Sequence, residues 1–173
     1  TMTSYYPSHD RDVDIAIIGA GFAGSMVAIK AADLGLNVRV FDPHPEYPNR
    51  FRAEKLETDQ YDGLERLGLV NLVQPRLSPF IDQVTVFHGR RRRIVPCKNH
   101  RGMDYQSTVN SFRQELKKNI PIITNKIERL TDDVDHCGIH LKDGSLCRAR
   151  LAVVATGGSQ QVRKSLGLRA PAA

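Results

Sequence analysis

Cysteine is scarce in this 173-residue chain: only Cys97, Cys137 and Cys147 occur, an odd number with no CxxC spacing. That excludes a disulfide framework and a thiolate zinc site, and reads as inert thiols in a reducing compartment. No apolar run is long enough to cross a bilayer, and residues 1–12, broken by Pro7, His9 and Asp10, lack a signal-peptide core. A cytoplasmic protein with no membrane partner is therefore expected. Repeats and low-complexity stretches are absent. The histidines are scattered, and His136 and His140 fall in a strand-like segment around Gly138, so they share no helical face and no metal site is expected. No serine or cysteine triad can be argued from the order of residues.

Charge is not scarce, since Lys and Arg exceed Asp and Glu by 25 to 19, a formal net charge of +6. Much of the excess sits in Arg90–Arg93 and between Arg148 and Arg169. With no Cys/His finger spacing, no helix-turn-helix pattern and no stacking rhythm among the tyrosines, no nucleic-acid partner is expected. A cofactor pyrophosphate and a solvated surface account for the charge. Arg90–Arg93 reads as a charged hairpin edge that discourages edge-to-edge pairing, with an anion patch as the alternative.

What is present is an alternation of strand and helix patterns. Residues 1–12 read as a flexible lead-in and 13–173 as one domain. Val13–Ile18 is a short β-branched run suited to a strand buried on both faces. Helical spacing follows from Phe22 to Leu34 and stops at Gly35. Further strands are expected at 37–42, in two runs between 79 and 96 joined near His88-Gly89, and at 120–125, 127–134, 137–142, 145–149 and 150–155. Helices are expected over 56–67 and from a Ser107 cap to about Asn119. The fold class is α/β: a Rossmann-like, mostly parallel sheet with a small antiparallel β-section.

The first strand runs into Gly19-Ala20-Gly21-Phe22-Ala23-Gly24 and then a helix. GxGxxG alone is weak, but here it joins a strand to a helix and a second strand ending in an acid. Gly19 suits the tight turn, Gly21 the close approach of a pyrophosphate, and Gly24 close packing of helix on strand. The helix N-terminus then faces the phosphates. Asp42, eighteen positions after Gly24, stands where a carboxylate accepts adenosine ribose hydroxyls and repels a 2′-phosphate. FAD and NAD share the ADP group these residues would hold. Ala28 and Gly35 extend the motif to GxGxxGxxxA with a glycine after six more residues, a form that resembles the FAD-binding signature of glutathione-reductase-like flavoproteins.

Three further stretches resemble the FAD-dependent aromatic hydroxylases of the p-hydroxybenzoate hydroxylase type. They are Arg50–Glu57 with the helix that follows, Tyr105–Leu116, and Leu151–Ser159 with Val162–Gly167. The resemblance implies that Arg52 contacts the ribityl–pyrophosphate region of FAD, with Lys55 as a second neutralising charge. A guanidinium suits that role by forking donors toward phosphate oxygens. It also implies that Gln106 reaches the cofactor, helix capping being the alternative, and that Thr156 and Gly157 lie in a cofactor-side turn. Gly157 stands where the family usually has an aspartate, giving an Ala-Thr-Gly turn closer to that of two-dinucleotide flavoproteins.

The family runs roughly twice this length or more, so the resemblance implies the FAD-binding part of a flavin-dependent oxidoreductase or monooxygenase acting on a small organic substrate. NAD(P)H would be the electron donor, though Gly157 puts that in question. A further C-terminal domain or partner chain would supply the substrate pocket. Two other readings stay open: a non-catalytic or partner-completed dinucleotide module, and an NAD-binding domain of another oxidoreductase.

Overall fold

The computed structural model describes residues 12–49, 55–158, 161–165 and 167. In chain order the elements are β1 (Val13–Ile18), α1 (Phe22–Asp33), β2 (Val38–Phe41), β3 (Lys55–Leu56), α2 (Thr58–Arg66), α3 (Val70–Val73), a 3-10 turn (Gln74–Arg76), β4 (Leu77–His88), β5 (Arg91–Met103), α4 (Tyr105–Leu116), β6 (Ile122–Ile123), β7 (Ile127–Asp132), β8 (Cys137–Leu141), β9 (Leu146–Val154) and α5 (Gln161–Ser165). They fall into two units, Thr1–Glu46 with Leu116–Ala173, and Tyr47–Glu115. Among the described residues no helix is long and apolar enough to cross a membrane.

The first unit is built on a six-stranded sheet of order β6-β2-β1-β9-β8-β7. β6, β2, β1 and β9 pair in parallel, while β9–β8 and β8–β7 are antiparallel. β1 is central, and its Ala16 and Ile17 are wholly buried, as a strand apolar on both faces requires. α1 is the crossover to β2. It buries Gly24, Ser25, Ala28 and Ala31, small side chains that let a helix lie close to a sheet. One core joins Ile17, Ala28, Val40, Leu116 and Ile120; the other joins Ile18, Phe41, Ile139, Leu141 and Ala149.

Two strand expectations are corrected here. The separate strands expected at 145–149 and 150–155 are one nine-residue strand, β9. Ala149 pairs with Cys137 on one side and Val13 on the other. No glycine or proline interrupts the chain at 149–150, so one extended run serves an antiparallel neighbour first and a parallel one next. The strand expected at 120–125 shrinks to Ile122–Ile123. Its first residue closes a helix instead: the Ile120 N–H, with that of Asn119 before it, donates to the Leu116 carbonyl, at 2.7 and 3.0 Å respectively.

The second unit holds a three-stranded antiparallel sheet of order β3-β5-β4. The hairpin joined near His88-Gly89 is present, but β5 runs on to Met103 instead of ending near 96. The polar string Lys98-Asn99-His100-Arg101 hides that continuation from an apolar-alternation reading. Two register shifts bend the ribbon there, between Leu77 and Phe80 and between Ile81 and Gln83. Leu56 belongs to β3, pairing with Arg101, so the helix expected over 56–67 starts only at Thr58. Glu57 and Gln60 close a capping box there. α3 and the 3-10 turn after it carry no periodic signal and were not expected.

Ser107 is not a cap, because α4 already begins at Tyr105. Asp104 holds that end, its Oδ1 accepting the Ser107 N–H at 2.8 Å. Hydrogen bonds from the Ser107 backbone and hydroxyl hold the Asp104 carboxyl below its usual range. The helix ends at Leu116 rather than Asn119.

Candidate dinucleotide-binding site

The turn between β1 and α1 is fixed from three sides. Gly19 has φ 102°, in the left-handed region, and its N–H donates to the Phe41 carbonyl at 2.7 Å. A Cβ there would sit 2.6 Å from the Ala155 carbonyl oxygen. A Cβ on Gly24 would collide with the Gly19 carbonyl oxygen. β1, the end of β9 and the first turn of α1 therefore meet where only hydrogen fits. Ala155 completes this contact and was not singled out from sequence. Its N–H donates to the Ile18 carbonyl at 2.8 Å, and such a packing alanine leaves no signal of its own.

Gly21 is different. A Cβ on it would meet nothing within 4 Å. It is the N-cap of α1 in an extended conformation with no side chain of its own to close that end, and the first turn carries no acid. An anion approaching here meets the positive end of the helix dipole, with no acid in the helix's own first turn. Phe22 is half-buried and Ala23 exposed on the same turn, whereas Ala20 is fully buried.

Asp42 follows β2, with its side chain 13% exposed. Its Oδ2 accepts the Ala20 N–H and its Oδ1 the His44 N–H, each at 2.9 Å. The second bond is an Asx-type turn through Pro43. The His44 ring lies beside the same carboxylate, Nδ1 to Oδ1 3.4 Å. Thus Asp42 braces the glycine turn while remaining at the end of the strand. In the sequence His44 is only one of the scattered histidines and has no role at this turn, although Asp-Pro-x is a legible turn signal.

Thr156 is half-buried and Gly157 exposed at φ 59°, just beyond the Ala155 contact in the same unit. The fold therefore brings together Gly19, Ala20, Gly21, Phe22, Ala23, Gly24, Asp42, Thr156 and Gly157. Arg52 lies outside the described residues. Lys55 and Gln106 belong to the second unit. There the Lys55 ammonium pairs with Glu57 at 3.0 Å, and its hydrogen bond and charge hold that carboxyl below its usual range. Gln106 Nε2 donates to the Tyr47 carbonyl at 3.2 Å. Asn110 Oδ1 accepts the Tyr47 N–H at 2.9 Å, and the Tyr47 ring stacks at a tilt on Tyr105, centroids 5.5 Å apart.

The family model for lycopene cyclase protein matches residues 14–171, which takes in the glycine turn, Asp42 and the β9 turn. The chain belongs to the lycopene cyclase protein family. Its sequence is 29% identical over 177 residues to the ubiquinone hydroxylase UbiL of Rhodospirillum rubrum, covering 93% of this chain and 41% of that protein. It is 28% identical over 182 residues to squalene monooxygenase of Rattus norvegicus, covering 95% and 32%.

Among solved structures, p-nitrophenol 4-monooxygenase PnpA from Pseudomonas putida DLL-E4 superposes with a TM-score of 0.78 at 20% identity, over 90% of this chain and 44% of that one. PqsL of Pseudomonas aeruginosa, described as a probable FAD-dependent monooxygenase, gives 0.66 at 20% identity, over 81% and 41%. This family member therefore has the α/β fold of the first part of flavoprotein monooxygenases, in line with the hydroxylase resemblance of its sequence. It spans less than half the length of each of these proteins.

Proposed function

We propose that this chain is the FAD-binding part of a flavin-dependent monooxygenase. The observation that carries the reading is the contrast within one turn: hydrogen-only contacts at Gly19 and Gly24, and open space at Gly21, the N-cap of α1. That is the arrangement a pyrophosphate needs. The ADP end of FAD would lie on Gly19–Gly24, with the ribose hydroxyls on Asp42 and Thr156-Gly157 flanking the site. Arg52, Lys55 and Gln106 are assigned to the flavin side on family resemblance. When bound, the flavin supplies the redox chemistry; the residues of this chain bind and orient it.

The names of the relatives support a proposed substrate class. Ubiquinone, squalene and lycopene, named in two relatives and the family, all carry unsaturated isoprenoid chains. An unsaturated isoprenoid lipid, or the ring attached to one, is the proposed substrate. Polypeptide beyond these residues, in the same chain or a partner, would complete the pocket, with NAD(P)H as the proposed donor. Residues 13–173 would act as one FAD-binding domain, in the cytoplasm, where unpaired thiols persist.

Titration with FAD, NAD and ADP tests the cofactor. Flavin absorbance that stays with the protein through gel filtration, with stabilisation by FAD above that by NAD, is the expected result. Stabilisation by NAD with none by FAD overturns it.

A further inference from the structure

The β4–β5 ribbon ends in a tip where positive charge and exposed apolar area coincide. Gly89, at φ 61°, and Arg90 form the turn, and Arg91, Arg92 and Arg93 follow, all four arginines exposed. Phe87 is opposite Arg92 on one face, with Ile94 diagonal to it; Val86 is opposite Arg93 on the other. Phe87 is 69% exposed, Ile94 50% and Val86 49%. From Gln83 to Cys97 the ribbon contains no acidic residue. A charged edge that only blocks strand pairing needs no phenylalanine or isoleucine in water beside it.

We propose that this tip docks on an anionic lipid surface. Charge complementarity selects that occupant. A second copy would bring the same four arginines against its own, and nucleic acid would leave Val86 and Ile94 without a partner. On a bilayer, the arginine stems lie along the interface with guanidinium groups on phosphates, while Phe87, Ile94 and Val86 enter just below the headgroups. The expectation of no membrane partner came from the lack of a spanning run; an interfacial tip needs none. The proposal goes beyond the flavin reading and does not depend on it.

The chain has no tryptophan, so Phe87→Trp gives a single reporter at the tip. With vesicles of phosphatidylcholine and phosphatidylglycerol at low salt, the expected result is co-sedimentation and a blue-shifted emission. Vesicles of phosphatidylcholine alone should bind far less. Each Arg→Gln change among Arg90–Arg93 should lower the partition coefficient about fivefold. Phe87→Ser should lower it roughly tenfold, with circular dichroism and FAD retention as in the parent chain. Absence of binding to anionic vesicles, equal binding to neutral ones, or an inert Phe87→Ser change overturns the proposal. So does self-association that Phe87→Ser abolishes while vesicles are ignored. FAD retention is read separately, so loss of one reading leaves the other standing.

Discussion

The Asp42 carboxylate accepts the Ala20 N–H at 2.9 Å across 22 positions of sequence. It ties the end of β2 to the turn that follows β1, so the acid shapes the cradle as well as facing its rim. Asp42→Ala removes the acceptor for two backbone N–H groups. A stability loss of about 1–3 kcal/mol is expected by urea denaturation, with FAD affinity lower by about tenfold or more. Asp42→Asn keeps one acceptor oxygen and should lose less of both. A chain whose stability is unchanged by Asp42→Ala would show that the brace carries no weight.

The three glycines of the turn should separate under alanine substitution. Gly24→Ala forces a Cβ onto the Gly19 carbonyl and should cost about 1–3 kcal/mol in thermal or chemical denaturation. Gly21→Ala meets nothing in the folded chain, so stability should stay within about 0.5 kcal/mol of the parent. Its added methyl group would stand in the phosphate path, and FAD affinity should fall about tenfold. Equal FAD binding by the Gly21→Ala chain would remove the pyrophosphate from this position.

In the second unit, Gln106 and Asn110 both donate to the Tyr47 carbonyl, at 3.2 and 3.4 Å. Each alanine variant should lose about 0.5–1.5 kcal/mol, and the double variant should depart from the sum because the acceptor is shared. If Gln106→Ala instead leaves stability untouched while weakening FAD retention, the glutamine serves the cofactor directly.

Cys147 is buried, and desolvation pushes its thiol above the ordinary value, the nearby Arg39 guanidinium partly offsetting it. The native chain should leave Cys147 unmodified by iodoacetamide at mildly alkaline pH while the urea-unfolded chain reacts. Because the raised folded value favours the protonated thiol, this group's contribution is intact below the unfolded thiol range and is lost as pH rises through the folded value. Mass spectrometry of labelled peptides reads the first effect and alkaline denaturation the second.

Asp104 behaves with the opposite sign. Its carboxyl is held down by Ser107, so its stabilising effect on α4 is present above the ordinary value of 3.8 and fades as pH falls through the lowered folded value. The gap in melting temperature between the parent chain and Asp104→Ala should be open at neutral pH and close in acid. A gap that persists in strong acid would mean that the carboxylate is not what holds the helix end.

The parts legible in the sequence were those with a local, repeated signal. Val13–Ile18, the glycine turn, α1 and Asp42 each follow from hydrophobic period, steric need or strand-end position, and all sit together in one unit. The parts that were not legible depend on partners distant in sequence. Leu56 is a strand residue only because Arg101 pairs with it, and the polar run at 98–101 extends β5 only because Phe80 and Ile81 lie opposite. Ala149 gave no hint that one strand would satisfy two neighbours of opposite direction. Gln106 shows the limit for a site: resemblance assigns it to a cofactor, while the fold engages its amide with Tyr47.

The undivided β9 has a consequence for how the first unit comes apart. β1 and β8 both pair with that one strand, so the two halves of the sheet, β6-β2-β1 and β8-β7, stay joined while it holds. Residues 146–154 should therefore exchange their amide hydrogens as one slow group, and the glycine turn, resting on Ala155 at the end of it, should inherit that rigidity. The cradle would then be held ready by a strand that supplies none of its three glycines.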